Sequence, residues 1–380
     1  MTLRRSLVLA AALIAAGACA GGQPEAPARP PQPAPGQPPG NAGAPGTEPR
    51  AFDEQAWPVK TKYVLDLWLH GFALLSNDSS RIPLFRAGYR DRMIVEKNML
   101  RITTQLDTRH DSLADYLNAH SALSGAQFIP LYEHEWTELQ NDIKVFLAAN
   151  GDPRKVKDQA SQQMVAFFAQ SFPGAADRKW LAMFAEALAD EDVKFYHQFW
   201  LQAENKHRPV LIAVDSIWSR AYARRLRRFQ SASNEERGEI FLSFPLGAEG
   251  RTVLGGKRQN SIAVIFPLVP DSAAQAVYVI AHEAVGNVAG TAVGDNTTPV
   301  EKRNGTAEKY LAIATVRGGE MLITRVAPEL AEGYMAFYLR AAGVPFAPGQ
   351  ERLAFRSAFP LPDVILDAMK QAMDATTTGI

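Results

Sequence analysis

The spacing of hydrophobic residues along this chain changes character near Pro209. Before that point, from about Asp53 to His207, apolar residues recur at helical intervals, as they do in residues 57–75 and 126–149. The first part of the chain, residues 51–207, is therefore predicted to be a helical subdomain.

After Pro209 the pattern favours a small sheet followed by more helices. Residues 210–214 form a short run of apolar, mostly β-branched side chains, which is typical of a strand. Residues 239–245 and 261–267 show the same pattern, and a Gly-rich segment, 247–256, joins them. Helical spacing then predicts helices over about 273–289, 306–316, 328–342 and 362–373. The fold is predicted to be α+β and mostly helical, with a second domain over residues 208–380.

The predicted helix over 273–289 has two faces of different character. One face is an apolar stripe made of Val277, Ile280, Ala281, Ala284, Val285 and Val288. At about 100° per residue, His282 and Gly286 fall on the opposite face, and Glu283 lies beside them. Since Val279 shares this second face, we expect the helix to pack on the sheet with one face and to line a cleft with the other.

Two segments resemble the metal-binding helices of the gluzincins, the thermolysin- and aminopeptidase-like zinc peptidases. One is Ala281-His282-Glu283-Ala284-Val285-Gly286, and the other is Leu330-Ala331-Glu332-Gly333-Tyr334-Met335-Ala336. The resemblance extends over about residues 209–345. It implies a zincin-like core in which His282 and Glu332 bind zinc and Glu283 is the general base on the metal-bound water.

The resemblance also implies how a substrate is held. An extended peptide is expected to pair with the strand over 261–267 by β-augmentation, and Tyr334 or Tyr310 is expected to donate a hydrogen bond to the oxyanion.

The chain departs from the zinc motif at one position. Gly286 stands where His-Glu-x-x-His has its second histidine, and glycine has no side chain that binds metal. A catalytic zinc usually has three protein ligands, so a third ligand is needed besides His282 and Glu332. Asn287, brought round by a π-bulge, and Asp295 are the candidates in the sequence.

The later helix predicts a buried carboxylate. Leu330, Tyr334, Phe337 and Ala341 form one apolar stripe, and Glu332 lies on the other side with Met335 and Leu339. A buried Glu332 must bind a metal ion or pair with a cation, for which Arg317 and Arg325 are the nearest candidates in the sequence.

Two functions follow from these residues. The first is a membrane-anchored, zinc-dependent peptidase with a rebuilt metal site, acting on a peptide or protein. The second is a catalytically inactive, peptidase-like protein that uses the same cleft as a binding or scaffold module. The missing histidine favours the second function, and the retention of Glu283 and Glu332 favours the first, so enzymatic activity stays open.

The first residues predict export and a lipid anchor. Arg4 and Arg5 precede an apolar stretch too short to span a bilayer, and Ala16-Gly17-Ala18-Cys19 resembles the site at which bacterial lipoproteins are cut and acylated. Residues 1–18 are predicted to be a signal peptide, Cys19 the lipidation site and residues 19–50 a Pro-rich linker. The expected location is the bacterial cell envelope, on the periplasmic or outer-membrane face, with the membrane as a partner.

Charge composition adds little to these expectations. Lys and Arg total 40, as do Asp and Glu, so net charge neither favours nor excludes an anionic partner, and no nucleic-acid partner is predicted. A basic run is most simply a solvated helix face, with a phosphate or lipid-headgroup contact as the alternative; its members are Arg220, Arg224, Arg225, Arg227 and Arg228. His70 is predicted to be a hydrogen-bonded histidine within a helix.

Overall fold

The computed structural model describes residues 57–78, 80–222, 226–227, 229–230, 236–255 and 260–378. The predicted signal peptide, the lipidated Cys19 and the linker to residue 50 lie outside the described residues and stay predictions. Within the basic run, Arg227 is exposed, whereas Arg224, Arg225 and Arg228 lie outside the described residues.

The fold is mostly helical with one small mixed sheet, as predicted for an α+β chain. The first half begins with a short strand, β1 (Val59–Thr61). The helices that follow are α1 (Tyr63–Leu75), α2 (Tyr89–Leu100), α3 (Gln105–Thr108), α4 (His110–Ala119), α5 (Trp136–Ala148), α6 (Gln159–Ser171), α7 (Ala175–Glu191) and α8 (His197–Ser216). A 3-10 segment, Ser121–Leu131, connects α4 to α5, and π-helical turns lie at Asp192–Tyr196 and Ile217–Tyr222.

The remaining strands and helices lie in the second half. The strands are β2 (Gly238–Ser243), β3 (Arg251–Leu254) and β4 (Asn260–Ile265). The helices are α9 (Ala274–Ala284), α10 (Gly286–Asp295), α11 (Pro299–Arg303), α12 (Thr306–Val326), α13 (Ala331–Ala341), α14 (Glu351–Ala358) and α15 (Asp363–Thr378). The predicted strands at 239–245 and 261–267 and the helix beginning near 273 are therefore confirmed.

The four described strands form one sheet in the order β1-β2-β4-β3. β1, β2 and β4 are parallel, and β3 runs antiparallel to β4, with Arg251 opposite Ala263. Strand β4 thus has a neighbour on each side, so the prediction that this strand pairs with a substrate is wrong. Among the described strands, β3 is the outer strand beside β4, and its other side has no strand partner.

The prediction of a strand at residues 210–214 is wrong, because these residues lie within α8. Val210 and Val214, one helical turn apart, are buried, whereas Ile212 is 62% exposed. This alternation has the period of a helix, which a run of only five apolar residues does not distinguish from a strand. α8 also continues without a break past residues 207 and 208.

Helix α9 packs against β4 and α12, and this arrangement places its His-Glu dipeptide beside the sheet. All but one of the six residues of its predicted apolar stripe are buried, and Val288 is half-buried. Buried apolar residues from both halves of the chain form one continuous core. No helix in the described ranges is long and apolar enough to cross a membrane.

A buried ionic network holds the helical half together. His70 is bonded through Nδ1 to the Tyr89 hydroxyl at 3.0 Å and through Nε2 to Glu191 at 3.1 Å, which confirms the prediction for this histidine. The ammonium group of Lys97 donates to Glu191, Asp107 and Thr104. With its partners supplied inside the fold, this network is structural.

Candidate functional site

The two residues of the His-Glu dipeptide are bonded to each other. Nδ1 of His282 lies 3.0 Å from Oε1 of Glu283, and both side chains are largely buried. Since the Glu283 carboxylate accepts, Nδ1 of His282 carries a proton. No described residue forms a hydrogen bond to Nε2.

The backbone of Gly250 provides a second bond to Glu283. Its N–H donates to Oε1 of Glu283 at 3.0 Å, immediately before β3 begins. A Cβ atom at this position would lie 2.3 Å from the carbonyl oxygen of Ala263 and 3.1 Å from Cγ of Glu283. Only glycine therefore allows the chain to approach both β4 and the carboxylate at this point.

Tyr338 of α13 covers His282. The two rings stack with centroids 5.4 Å apart, and the Tyr338 hydroxyl donates to the carbonyl oxygen of Ala248 at 3.1 Å. Tyr334, which the sequence proposed as an oxyanion donor, is fully buried and donates to the carbonyl oxygen of Val316 at 2.9 Å. Its hydroxyl is therefore committed to the fold, whereas Tyr310 is half-buried.

Two charged side chains flank Gly250 and were not predicted as site residues. The Glu283 carboxylate interacts electrostatically with both Glu249 and Arg251, so the three side chains lie near one another. Burial raises the pKa of Glu249, as does the charge of Glu283, and the charge of Arg251 only partly offsets this. Burial would also raise the pKa of Glu283, but the bond and charge of His282, the charge of Arg251 and the Gly250 N–H together lower it. The two carboxylates thus differ in how readily they hold a proton.

Position 286 opens onto free space. Helix α9 ends at Ala284, and α10 begins at Gly286 after Val285, whose backbone is not helical (φ −91°, ψ 2°). A Cβ atom at Gly286 would meet nothing within 4 Å. A larger side chain would therefore fit here, although the break at Val285 changes its direction relative to a regular helix.

The prediction that Glu332 is buried is wrong. Glu332 lies in the first turn of α13 and is exposed. No hydrogen bond or ion pair joins it to His282 or Glu283, and the two arginines considered as partners bond elsewhere, Arg317 to the Phe359 carbonyl and Arg325 to Asp374. Helical periodicity predicted on which side of α13 Glu332 lies. It did not predict how far along the axis of α13 the hydrophobic core extends.

The alternative third ligands are also on the surface. Asn287 and Asp295 are both exposed, on the first and last turns of α10. Among the described residues, no three His, Cys, Asp or Glu side chains are placed to hold a metal ion together. The described side chains therefore do not supply the three ligands of a catalytic zinc site, and zinc binding stays a prediction.

No family model, curated protein or solved structure matches this chain. Where β3 begins lie an ionised carboxylate, a histidine whose Nε2 and an arginine whose guanidinium have no hydrogen-bond partner among the described residues, and a strand that pairs with β4 alone in the described sheet.

Periodicity along the chain identified only part of this group. His282 and Glu283 were found because they form a dipeptide on a helix with two distinct faces. Glu249, Gly250 and Arg251 lie 33 residues away in a Gly-rich turn region, where periodicity is absent, and their role depends on tertiary contact. The one available signal was a Glu-Gly-Arg tripeptide within an otherwise weakly charged turn.

Proposed function

We propose that this chain is a peptidase-like binding protein that holds an extended polypeptide along the free edge of β3. The His282–Glu283 pair lies at the start of that edge and fixes its position. In this proposal the peptide-binding domain has a zincin-like core and is attached to the envelope membrane through a lipid on Cys19.

The position of β3 at the end of the sheet supports this proposal. A strand with a partner on one side presents unpaired N–H and C=O groups on the other, which an extended peptide satisfies by adding a strand. β3 is bonded to β4 and has no other strand partner among the described residues, and its four residues are half-buried. It is also short, a feature that limits uncontrolled edge-to-edge association.

One observation carries the proposal: Oε1 of Glu283 accepts from both His282 and the Gly250 N–H, each at 3.0 Å. The carboxylate is therefore used to fasten the beginning of β3 to α9. A fastened edge loses less conformational entropy when a peptide binds to it than a mobile one does. This use of Glu283 needs no metal ion.

Binding is tested with the full-length chain and an array of random ten-residue peptides. We expect a subset to bind, and we expect methylation of alternate backbone nitrogens in those peptides to abolish binding, because strand addition depends on main-chain hydrogen bonds. A methylated peptide keeps all its side chains and so serves as the matched control. Absence of binding across the array, or binding that methylation does not affect, would contradict the proposal.

Glu283 variants separate fastening from catalysis. In Glu283→Gln the amide oxygen still accepts from Gly250 and His282, so we expect peptide affinity within about twofold of the natural chain. In Glu283→Ala both bonds are lost, and a charge-assisted bond is worth about 1.5–3 kcal/mol, so we expect affinity to fall roughly tenfold or more. Isothermal titration calorimetry with one array peptide measures both; equal losses in the two variants would show that the negative charge, and not the fastening, matters.

A zinc peptidase is the second candidate, and one observation favours it. His282 donates Nδ1–H to a carboxylate and leaves Nε2 free, which is the arrangement of a metal-binding histidine. The two functions differ in metal content, which elemental mass spectrometry of the purified chain measures.

The binding-protein proposal predicts clearly less than one zinc per chain after zinc loading and dialysis. There is room for a side chain at position 286. The proposal therefore also predicts that the Gly286→His variant retains more zinc than the natural chain. About one zinc per natural chain, lost in both His282→Ala and Glu332→Ala, would instead support the peptidase. In that case Glu283→Gln should abolish peptide hydrolysis.

A further inference from the structure

Arg251 has hydrogen-bonding capacity that the described fold does not use. Its Nε is buried and has no hydrogen-bond partner, and its guanidinium forms no ion pair with any described residue. A buried donor left without a partner costs about 1–3 kcal/mol, so such a group in a native fold calls for an explanation.

The guanidinium is held in place by an aromatic ring. Its central carbon lies 5.1 Å from the centroid of the Phe128 ring, in a cation–π contact between the two halves of the chain. This contact holds the guanidinium against the ring, and no described residue accepts a hydrogen bond from its N–H groups. The guanidinium of an arginine held in this way can donate two parallel hydrogen bonds to the two oxygens of a carboxylate.

Two nearby carboxylates act on the same guanidinium without pairing with it. The charge of Arg251 lowers the pKa of both Glu249 and Glu283, so all three groups are close. Glu283 is already bonded to His282 and Gly250 through Oε1. Neither glutamate forms an ion pair with Arg251. The arginine therefore stands at the start of the β3 edge as a positioned cation with unused donors.

We propose that Arg251 is a carboxylate-recognition residue, which binds a carboxylate of the polypeptide held along β3. This inference rests on the proposed function, because Arg251 is the first residue of the edge on which the peptide is placed. The carboxylate is either the C-terminal α-carboxylate of the peptide or the side chain of an Asp or Glu. Glu249 and Glu283 disfavour additional negative charge in the same place, so we expect one carboxylate per bound peptide.

The test uses the full-length chain and three versions of each peptide that binds from the array. One version has a free C-terminus, one has a C-terminal amide, and one has an amide with every Asp and Glu replaced by Asn and Gln. We expect the version without carboxylates to bind roughly tenfold or more weakly than the best version, since hydrogen bonds to charged groups are worth about 1.5–3 kcal/mol. The version with only a C-terminal amide shows which carboxylate Arg251 recognises. If its affinity falls as far as that of the version without carboxylates, Arg251 binds the α-carboxylate. If its affinity does not fall, Arg251 binds an Asp or Glu side chain.

Variants at position 251 test whether Arg251 causes the preference for peptides that carry a carboxylate. In Arg251→Gln all three peptide versions should bind equally. In Arg251→Lys the charge is kept but the two-pronged geometry is lost, so the preference should shrink without disappearing. Arg340→Gln, an exposed arginine on α13, removes the same charge and should leave the preference unchanged. Far-ultraviolet circular dichroism verifies that each variant folds.

The outcomes distinguish this inference from the proposed function. Binding that methylation of the peptide backbone abolishes, but that is the same for all three peptide versions, overturns the role of Arg251 and leaves strand addition standing. A carboxylate preference that persists in Arg251→Gln also overturns it. If Arg251→Gln does not fold, the Arg251→Lys titration decides: an undiminished preference contradicts the inference. Absence of any methylation-sensitive binding overturns the proposed function itself.

Discussion

Asp66 on α1 is a buried acid whose ionisation is costly to the fold. It is 1% exposed, and the Trp200 Nε1–H donates to its Oδ2 at 2.8 Å. Burial raises the pKa of Asp66 from its ordinary value of 3.8 to about 7, against a smaller lowering by its hydrogen bonds. At a pH between these two pKa values, Asp66 keeps its proton in the folded chain and releases it in the unfolded chain. Folding stability is therefore highest below about pH 4 with respect to this group, and it falls as the pH rises to about 7.

Asp66→Asn should remove that pH dependence. A shift of about three pKa units, at about 1.4 kcal/mol each, corresponds to a loss on the order of 4 kcal/mol by pH 8. We expect the variant to be more stable than the natural chain at pH 8 and to lose this advantage at pH 4, because Asn still accepts from Trp200. Urea unfolding at the two pH values measures this. The exposed Asp91→Asn is the control, and an equal effect of Asp66→Asn at both pH values would contradict the account.

At the same scale, the sequence predicted residue types better than residue depth. Periodicity placed His282 and Glu283 on the face opposite the apolar stripe, where a cleft was expected, and both side chains are largely buried, in contact with Gly250 and Tyr338. Glu332 was misjudged, because periodicity gives an angle around the helix axis and Glu332 lies in the first turn, where the side chain reaches solvent. The contribution of Gly250 depends on a contact with Glu283 that no local pattern encodes.

At the level of elements, α8 shows how a proline misleads a sequence-based prediction. Pro209 lies inside α8 and is exposed, with π-helical turns before and after the helix. Proline usually ends a helix, so the sequence suggested a boundary at this point and a strand after it. Packing of Val210 and Val214 into the core evidently outweighs the lost backbone hydrogen bond and keeps the helix continuous.

Replacing Pro209 should therefore stabilise the chain. Pro209→Ala restores a backbone N–H inside α8 and removes the clash of the ring with the preceding turn, so we expect a gain of at least about 1 kcal/mol in unfolding free energy. The control is Pro153→Ala, because Pro153 occupies the first position of a 3-10 turn, where no N–H partner is needed. Guanidinium unfolding compares the two. No gain for Pro209→Ala, or an equal gain for both variants, would contradict this explanation.

At the scale of the whole molecule, the candidate site depends on both halves of the chain. Arg251 belongs to the sheet region, and Phe128, on which it stacks, lies in the 3-10 segment of the helical half. β1 also comes from the first half and pairs in parallel with β2. The sequence predicted the α+β class and most helices, since these follow from local periodicity. It did not predict that the halves share a sheet and a site, because those contacts join residues far apart in sequence.

The measurement that tests the central claim most directly is hydrogen exchange of the full-length chain, followed by mass spectrometry, with and without a peptide from the array. Binding along β3 predicts slower exchange in the peptic fragments that contain residues 251–254 and little change in α2, whose outer face exposes Ile94, Val95 and Met99. A bound peptide that leaves 251–254 unprotected, or that protects the α2 surface instead, would contradict the account.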